Sequence, residues 1–168
     1  MPDVIHPLVR THPDTAIKSL YLGNHSTHIL GMPEAEGAAL LEELLDHATQ
    51  RLNMVESQVR PNGITDHRII DAMAQVKRED FVPEGRKAIA YLDEDVELKN
   101  GRYLIEPMAF ARMIHLALIK PTDRVLVVGA GTGYGARVIS LLAKSVVALE
   151  SDPELAGLAR GFLAGDAG

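Results

Sequence analysis

Six consecutive residues, Gly129-Ala-Gly-Thr-Gly-Tyr134, and one acid 21 positions after the first, Glu150, carry the clearest chemistry in the sequence. After a strand, glycines let the backbone turn tightly and let a ligand approach main-chain amides with no Cβ in the way. The helix that follows such a turn presents free N–H groups. An acid ending the next strand accepts hydrogen bonds from both hydroxyls of a ribose. Gly129, Ala130, Gly131, Thr132, Gly133, Tyr134 and Glu150 together describe a site for an adenosine-type cofactor at the C-terminal edge of a parallel sheet. The spacing is G-x-G-x-G, whereas the dinucleotide fingerprint G-x-G-x-x-G requires a glycine where Tyr134 stands. The plain alternative is a glycine-rich strand-to-helix turn that binds nothing.

Other groupings offer less. His6, His12, His25 and His28 cluster in sequence, but a metal needs three or four imidazoles to converge, and nothing in the spacing fixes that. No metal site is expected. Asp93-Glu-Asp95 reads as a solvated edge, and Ser57 with Asp66 and His67 lacks a nucleophile-elbow context. Met54, Met73, Met108 and Met113 fit core faces. The absence of cysteine excludes disulfides, thiolate zinc sites and cysteine nucleophiles.

The glycine turn must be held by its neighbours. Arg124-Val-Leu-Val-Val128 reads as a buried strand, since consecutive aliphatics suit a strand covered on both faces. Residues 136–143 are helical, Ser145–Glu150 is a second buried strand, and Asp152-Pro-Glu154 starts a helix reaching about Leu163. That is a βαβ unit, and hence part of a parallel sheet. Upstream, Pro107 opens a helix that Pro121-Thr-Asp123 ends, and Asn100-Gly101 turns a hairpin between 92 and 105. Thr65 is the expected N-cap of a helix carrying Ile69, Ile70, Met73 and Val76. A longer helix starts at Pro33 and keeps one apolar face through Leu41, Leu44, Leu45, Ala48, Leu52, Val55 and Val59, until Pro61-Asn-Gly63 stops it. Residues 4–32 hold short β-leaning runs at 5–10, 19–22 and 27–31.

The 168 residues are 46% hydrophobic and 24% charged, with mean hydropathy +0.03, which are globular values. No apolar run has membrane-spanning length and no secretory pattern opens the chain, so a soluble, cytoplasmic protein is expected. A net charge of −6 with 4% aromatics argues against a nucleic-acid partner. The composition breaks near residue 50. Residues 1–50 hold two basic and seven acidic side chains and five of the seven histidines; the remainder is nearly balanced.

Residues 54–164 resemble the protein-L-isoaspartate O-methyltransferase family. The runs that carry the likeness are Met54-Val-Glu-Ser-Gln-Val-Arg-Pro61, Val76-Lys-Arg-Glu-Asp-Phe-Val-Pro83, Gly101-Arg-Tyr-Leu-Ile-Glu-Pro107 and Val125-Leu-Val-Val-Gly-Ala-Gly-Thr-Gly-Tyr134. The resemblance implies a Rossmann-like α/β fold with S-adenosylmethionine held at Gly129–Tyr134 and Glu150. It also implies methyl transfer to the carboxylate of L-isoaspartyl residues in damaged proteins, a repair activity. Three features depart from the family. Ile105 stands where its acceptor segment has a serine, Val127 stands where many members have an acid, and the family sheet continues beyond the strand ending at Glu150. No catalytic residue is assigned.

Residues 5–49 resemble an interior piece of the taurine/α-ketoglutarate dioxygenase family, through His6-Pro-Leu-Val-Arg-Thr-His-Pro13, Lys18–Leu22 and the 33–49 segment. The family's His-x-Asp iron pair lies upstream of this piece; the one His-x-Asp triplet here, His12-Pro13-Asp14, falls inside the piece and not at that place. The expected organisation is therefore a short β/α extension over 1–50 without a metal site, then a partial methyltransferase domain over 51–168 with its own N-terminal helical region. Completion of the sheet by another chain, or self-association through the 34–59 helix or a sheet edge, belongs to the same expectation. The alternative function is a non-catalytic adenosine-binding or interaction module with a decayed acceptor site.

Overall fold

The computed structural model describes residues 9–11, 18–20, 32–33, 36–37 and 47–164. The chain divides into two compact units, residues 1–44 and 45–168. In the first, β1 (Val9–Thr11) pairs antiparallel with β2 (Lys18–Leu20), Val9 opposite Leu20. A helical turn starts at Pro33, where the Gly37 N–H donates to its carbonyl at 2.8 Å. The expected run at 27–31, residues 38–46 of the expected helix, and His6, His12, His25 and His28 lie outside the described residues.

The second unit opens with α1 (His47–Met54), which widens into a π-helical turn over Val55–Val59 and tightens into a 3-10 turn over Arg60–Asn62. The sequence pattern implied one unbroken α-helical face here. The wide turn, in which the Arg60 N–H reaches back to the Val55 carbonyl, rotates that face. Met54, Val55 and Val59 are buried as a result, whereas Leu52, expected beside them, is 58% exposed.

α2 (His67–Gln75) buries Ile69, Ile70, Ala72 and Met73. Its cap is Asp66, not Thr65: the Asp66 carboxylate accepts the Arg68 N–H at 3.0 Å and the Arg68 guanidinium at 2.6 Å. A charged acceptor thus serves both a free helical donor and a local ion pair. Two 3-10 segments, Arg78–Phe81 and Glu84–Ile89, lead to the hairpin of β3 (Val96–Lys99) and β4 (Arg102–Leu104). Asn100 and Gly101 close it with φ of 53° and 70°, the paired positive values of a tight hairpin turn.

α3 (Pro107–Leu116) begins at its proline as expected but ends before Pro121, because Ala117 caps it and Leu118 adopts φ 49°. Its start explains the acidic run. Asp95 accepts the Glu106 N–H at 2.8 Å and Asp93 accepts the Met108 N–H at 3.1 Å, so two carboxylates of the run also hold the helix entrance, while Glu94 and Asp95 stay exposed as expected. Of the four methionines assigned to core faces, Met54 and Met73 are buried, Met108 is half-buried and Met113 is exposed.

β5 (Arg124–Val128), α4 (Tyr134–Ser140) and β6 (Ser145–Leu149) form the βαβ unit, followed by α5 (Pro153–Ala164). The strands run parallel and in register, Arg124 opposite Ser145 and Val128 opposite Leu149. α4 lies close on Phe110, where a Cβ at Gly135 would stand 3.2 Å from the ring. Val125, Val127 and Val146 pack against the core. Leu126, Val128, Val147 and Leu149 remain between 55% and 71% exposed. Among the described residues, no helix is long and apolar enough to cross a membrane.

Candidate functional site

The glycine turn joins β5 to α4 as the sequence implies, and its first two amides extend the strand ladder. Gly129 and Ala130 both donate to the Leu149 carbonyl, at 2.8 and 3.1 Å. Gly131 has φ 57° and Gly133 has φ 99°, conformations that strain any residue bearing a Cβ. A Cβ at Gly131 would also meet the Leu98 side chain at 3.2 Å.

Glu150 is brought to this turn directly. Its Oε2 accepts the Gly131 N–H at 2.7 Å and the Arg102 guanidinium at 2.8 Å, and its Oε1 accepts the Asp152 N–H at 3.0 Å. The Glu150 side chain is only 2% exposed, with Arg102 lying beside it at 35%. Burial raises its pKa and is the largest single influence. The Asp152 and Gly131 amides and the Arg102 charge together outweigh it, so the carboxyl sits below its ordinary value. Glu150 is therefore ionised at neutral pH and placed at the carboxyl ends of both strands.

Thr132 and Tyr134 are on the turn, but their side chains face inward. The Thr132 hydroxyl donates to the Phe81 carbonyl at 2.6 Å, and Tyr134 is fully buried between Phe81 and Phe110, with ring centroids at 5.7 and 5.5 Å. Only their main chain is left to face a ligand. The chemistry of an adenosyl group still fits the residues present, namely a carboxylate for a diol beside a turn whose glycines carry no side chains.

Beneath the turn lies a feature that the sequence pattern did not single out. Arg78 is fully buried, donating to the Ala90 carbonyl at 2.5 Å and to the Ile105 carbonyl at 2.6 Å, with its guanidinium 4.9 Å from the Tyr134 ring centroid. Burial pulls its pKa down, and Tyr134 opposes that shift. Ile105, at the serine position of the family resemblance, is thereby fixed through its main chain. Next to it, Tyr91 donates to Glu79 and accepts from the Arg78 N–H. Burial, and then Glu79, raise the Tyr91 pKa. Ser57 bonds the Asn53 carbonyl at 2.5 Å, a local helix contact that leaves no triad with His67. Arg78 and Arg102 had no sequence signal beyond their place in the family-like runs.

The family profile described as Protein-L-isoaspartate(D-aspartate) O-methyltransferase (PCMT) matches residues 49–166. A second, Taurine catabolism dioxygenase TauD, TfdA family, matches residues 1–65. A protein-L-isoaspartate O-methyltransferase of Koribacter versatilis is 41% identical over 118 residues, 70% of this chain and 53% of that protein. A protein-L-isoaspartate O-methyltransferase 2 of an Anaeromyxobacter species is 42% identical over 107 residues, 64% of this chain and 44% of that protein. The chain thus spans about half the length of the curated relatives it matches. A Plasmodium falciparum chain assigned as a protein-L-isoaspartate O-methyltransferase, crystallised with S-adenosyl-L-homocysteine, superposes with TM-score 0.57 at 23% identity. The match covers 73% of this chain and 56% of that one. The likeness shows the fold, a partial α/β arrangement of the S-adenosylmethionine methyltransferase type.

Proposed function

This chain belongs to the protein-L-isoaspartate(D-aspartate) O-methyltransferase family, and from that premise we propose that it binds S-adenosylmethionine through Gly129–Tyr134 and Glu150. We infer that the protein transfers the cofactor's methyl group to the side-chain carboxylate of L-isoaspartyl residues in damaged proteins. The observation that supports this most is the 2.7 Å hydrogen bond from the Gly131 amide to Glu150, which joins the motif to its acid. When bound, the cofactor supplies an electrophilic methyl on a good leaving group. The residues have to align the reactants, since an acceptor carboxylate is already ionised and needs no base. Glu150 fixes the ribose, the glycine turn admits the ligand to the strand ends, and Arg78 holds the acceptor segment through the Ile105 carbonyl.

Calorimetric titration with S-adenosylmethionine, and separately with S-adenosylhomocysteine, tests the reading. Saturable binding is expected, weakened by ten- to a hundredfold or roughly that in Glu150→Ala, where two charge-assisted bonds to the ligand are lost. Absence of binding by a folded sample rejects it.

A second reading is a non-catalytic adenosine-binding or interaction module. Ile105 favours it, because an aliphatic group stands where a hydroxyl could bond the acceptor. Methyl incorporation into an isoaspartyl peptide separates the two. The wider proposal places the protein in the cytoplasm, with a dioxygenase-like extension over 1–50 that holds no iron and a methyltransferase-like domain over 51–168. Fe(II)-dependent turnover of 2-oxoglutarate would contradict the extension's part. Self-association through the 34–59 helix or the sheet edge belongs to the same proposal, and sedimentation velocity at rising concentration tests it.

A further inference from the structure

We propose that Arg102 selects for an adenosyl ligand that carries its own carboxylate: the ribose diol displaces the guanidinium from Glu150, and the freed guanidinium pairs with the ligand's carboxylate. The proposal rests on the cofactor reading above and deepens it by naming the residue that reads the ligand's tail.

Glu150 has two oxygens and room for about four hydrogen bonds. Four donors already reach it: Arg102 Nη2 at 2.8 Å and Gly131 N at 2.7 Å on Oε2, Asp152 N at 3.0 Å and Ser151 Oγ at 3.4 Å on Oε1. A diol needs two of those places. The amides of Gly131 and Asp152 belong to the main chain of the turns that shape the site. The long Ser151 contact and the partly exposed Arg102 side chain are the two that can leave.

The freed guanidinium finds its neighbouring carboxylates taken. Asp152 accepts Asn100 Nδ2 at 3.0 Å on one oxygen and the amides of Glu154 and Leu155 on the other, while Glu154 is paired with Lys99. The Lys99 and Asn100 contacts also pin the hairpin tip to the segment after β6. Arg102 therefore swings from an anchored base, and the hairpin need not open. Its position suits a ligand tail. Nη2 lies 3.2 Å from where a Cβ on Gly129 would stand, so the guanidinium spans the ends of β5 and β6. A ligand whose ribose sits on Glu150 and whose chain crosses the glycine turn passes within its reach. Only one of its five N–H groups is engaged among the described residues, which leaves the planar fork for a carboxylate.

The test compares two nucleosides that share adenine, ribose and thioether. S-adenosylhomocysteine carries a carboxylate; 5′-methylthioadenosine does not. Each is titrated calorimetrically into the wild-type chain, Arg102→Ala and Arg102→Lys, with folding checked by circular dichroism. Arg102→Ala is expected to weaken S-adenosylhomocysteine about tenfold and to leave methylthioadenosine unchanged or tighter, since Glu150 is uncovered. Arg102→Lys keeps the charge without the fork and is expected to fall between. If Arg102→Ala does not fold, the ratio of the two affinities in Arg102→Lys decides the matter. A parallel change for both nucleosides, or none, overturns the proposal, because Arg102 then only covers Glu150. If the folded wild-type chain binds neither nucleoside, the cofactor reading itself fails and takes this inference with it.

Discussion

The inward face of the stretch from α1 through α3 and the outer face of β5 and β6 treat the same kind of side chain in opposite ways. Met54, Val59, Met73 and Val96 are buried to 1% exposure or less. Leu126, Val128, Val147 and Leu149, of the same apolar character, keep more than half their surface in solvent. The first stretch has alternatives for cover: helices, 3-10 turns and a hairpin close around one another. The strands have α4 and the core on one face only. Apolar surface left in water forgoes roughly 25 cal/mol per Å², so the sequence of β5 and β6 is written for two-sided cover and the described residues supply one side. The cofactor-type turn sits where these regimes meet, with its floor in the packed stretch and its rim on the open sheet.

The largest effect that would break this contrast is expected at Arg78. Truncation to alanine removes the donors to the Ala90 and Ile105 carbonyls and opens a void beneath Tyr134. Each buried carbonyl left without a partner costs about 1–3 kcal/mol. Urea denaturation is therefore expected to show Arg78→Ala less stable by about 4 kcal/mol, with the void included. A loss under about 1 kcal/mol would mean that the packed stretch does not depend on its buried charge.

A matched pair sharpens the contrast further. Met73→Ala empties a fully buried site and is expected to cost about 3 kcal/mol. Val128→Thr, on the open face at 71% exposure, is expected to change stability by less than about 0.5 kcal/mol. Thermal midpoints measured side by side give the comparison. Equal losses would show that the open face is covered in solution.

The βαβ unit was legible because its signals are local: consecutive aliphatics, a glycine turn and an acid ending the second strand, all within 27 residues. The hairpin was legible for the same reason, through Asn100-Gly101. What escaped depends on contacts far apart in the chain. Asp93 and Asp95 show no role beyond an acidic run until Met108 and Glu106 arrive to donate to them. Arg78 looks like an ordinary surface charge until Ala90 and Ile105 surround it. Tyr134 lies in the motif but points into the core, because Phe81 and Phe110 make an aromatic pocket there. The wide turn at Val55–Val59 was missed since a helical period of three and four cannot announce one extra residue.

The smallest expected effect concerns acid, and it bears on the rim of the site. Glu150 and Asp152 both titrate below their ordinary values. For Glu150, burial opposes the shift and the amides and Arg102 prevail; for Asp152, the Asn100 hydrogen bond leads. A carboxyl whose pKa is depressed on folding contributes stability that is complete above its ordinary value and disappears as pH falls through the depressed one. The ordinary values are 4.5 and 3.8, so the loss should begin as pH falls to about 4.5 for Glu150 and to about 3.8 for Asp152, and deepen below. Glu150→Gln keeps the shape and removes one of the two titrations. Its thermal midpoint should fall less steeply between neutral pH and acid than that of the wild type. Parallel curves would mean that the Arg102 and amide contacts to Glu150 form equally in the unfolded chain, or that acid first undoes the packed stretch and leaves the rim for later.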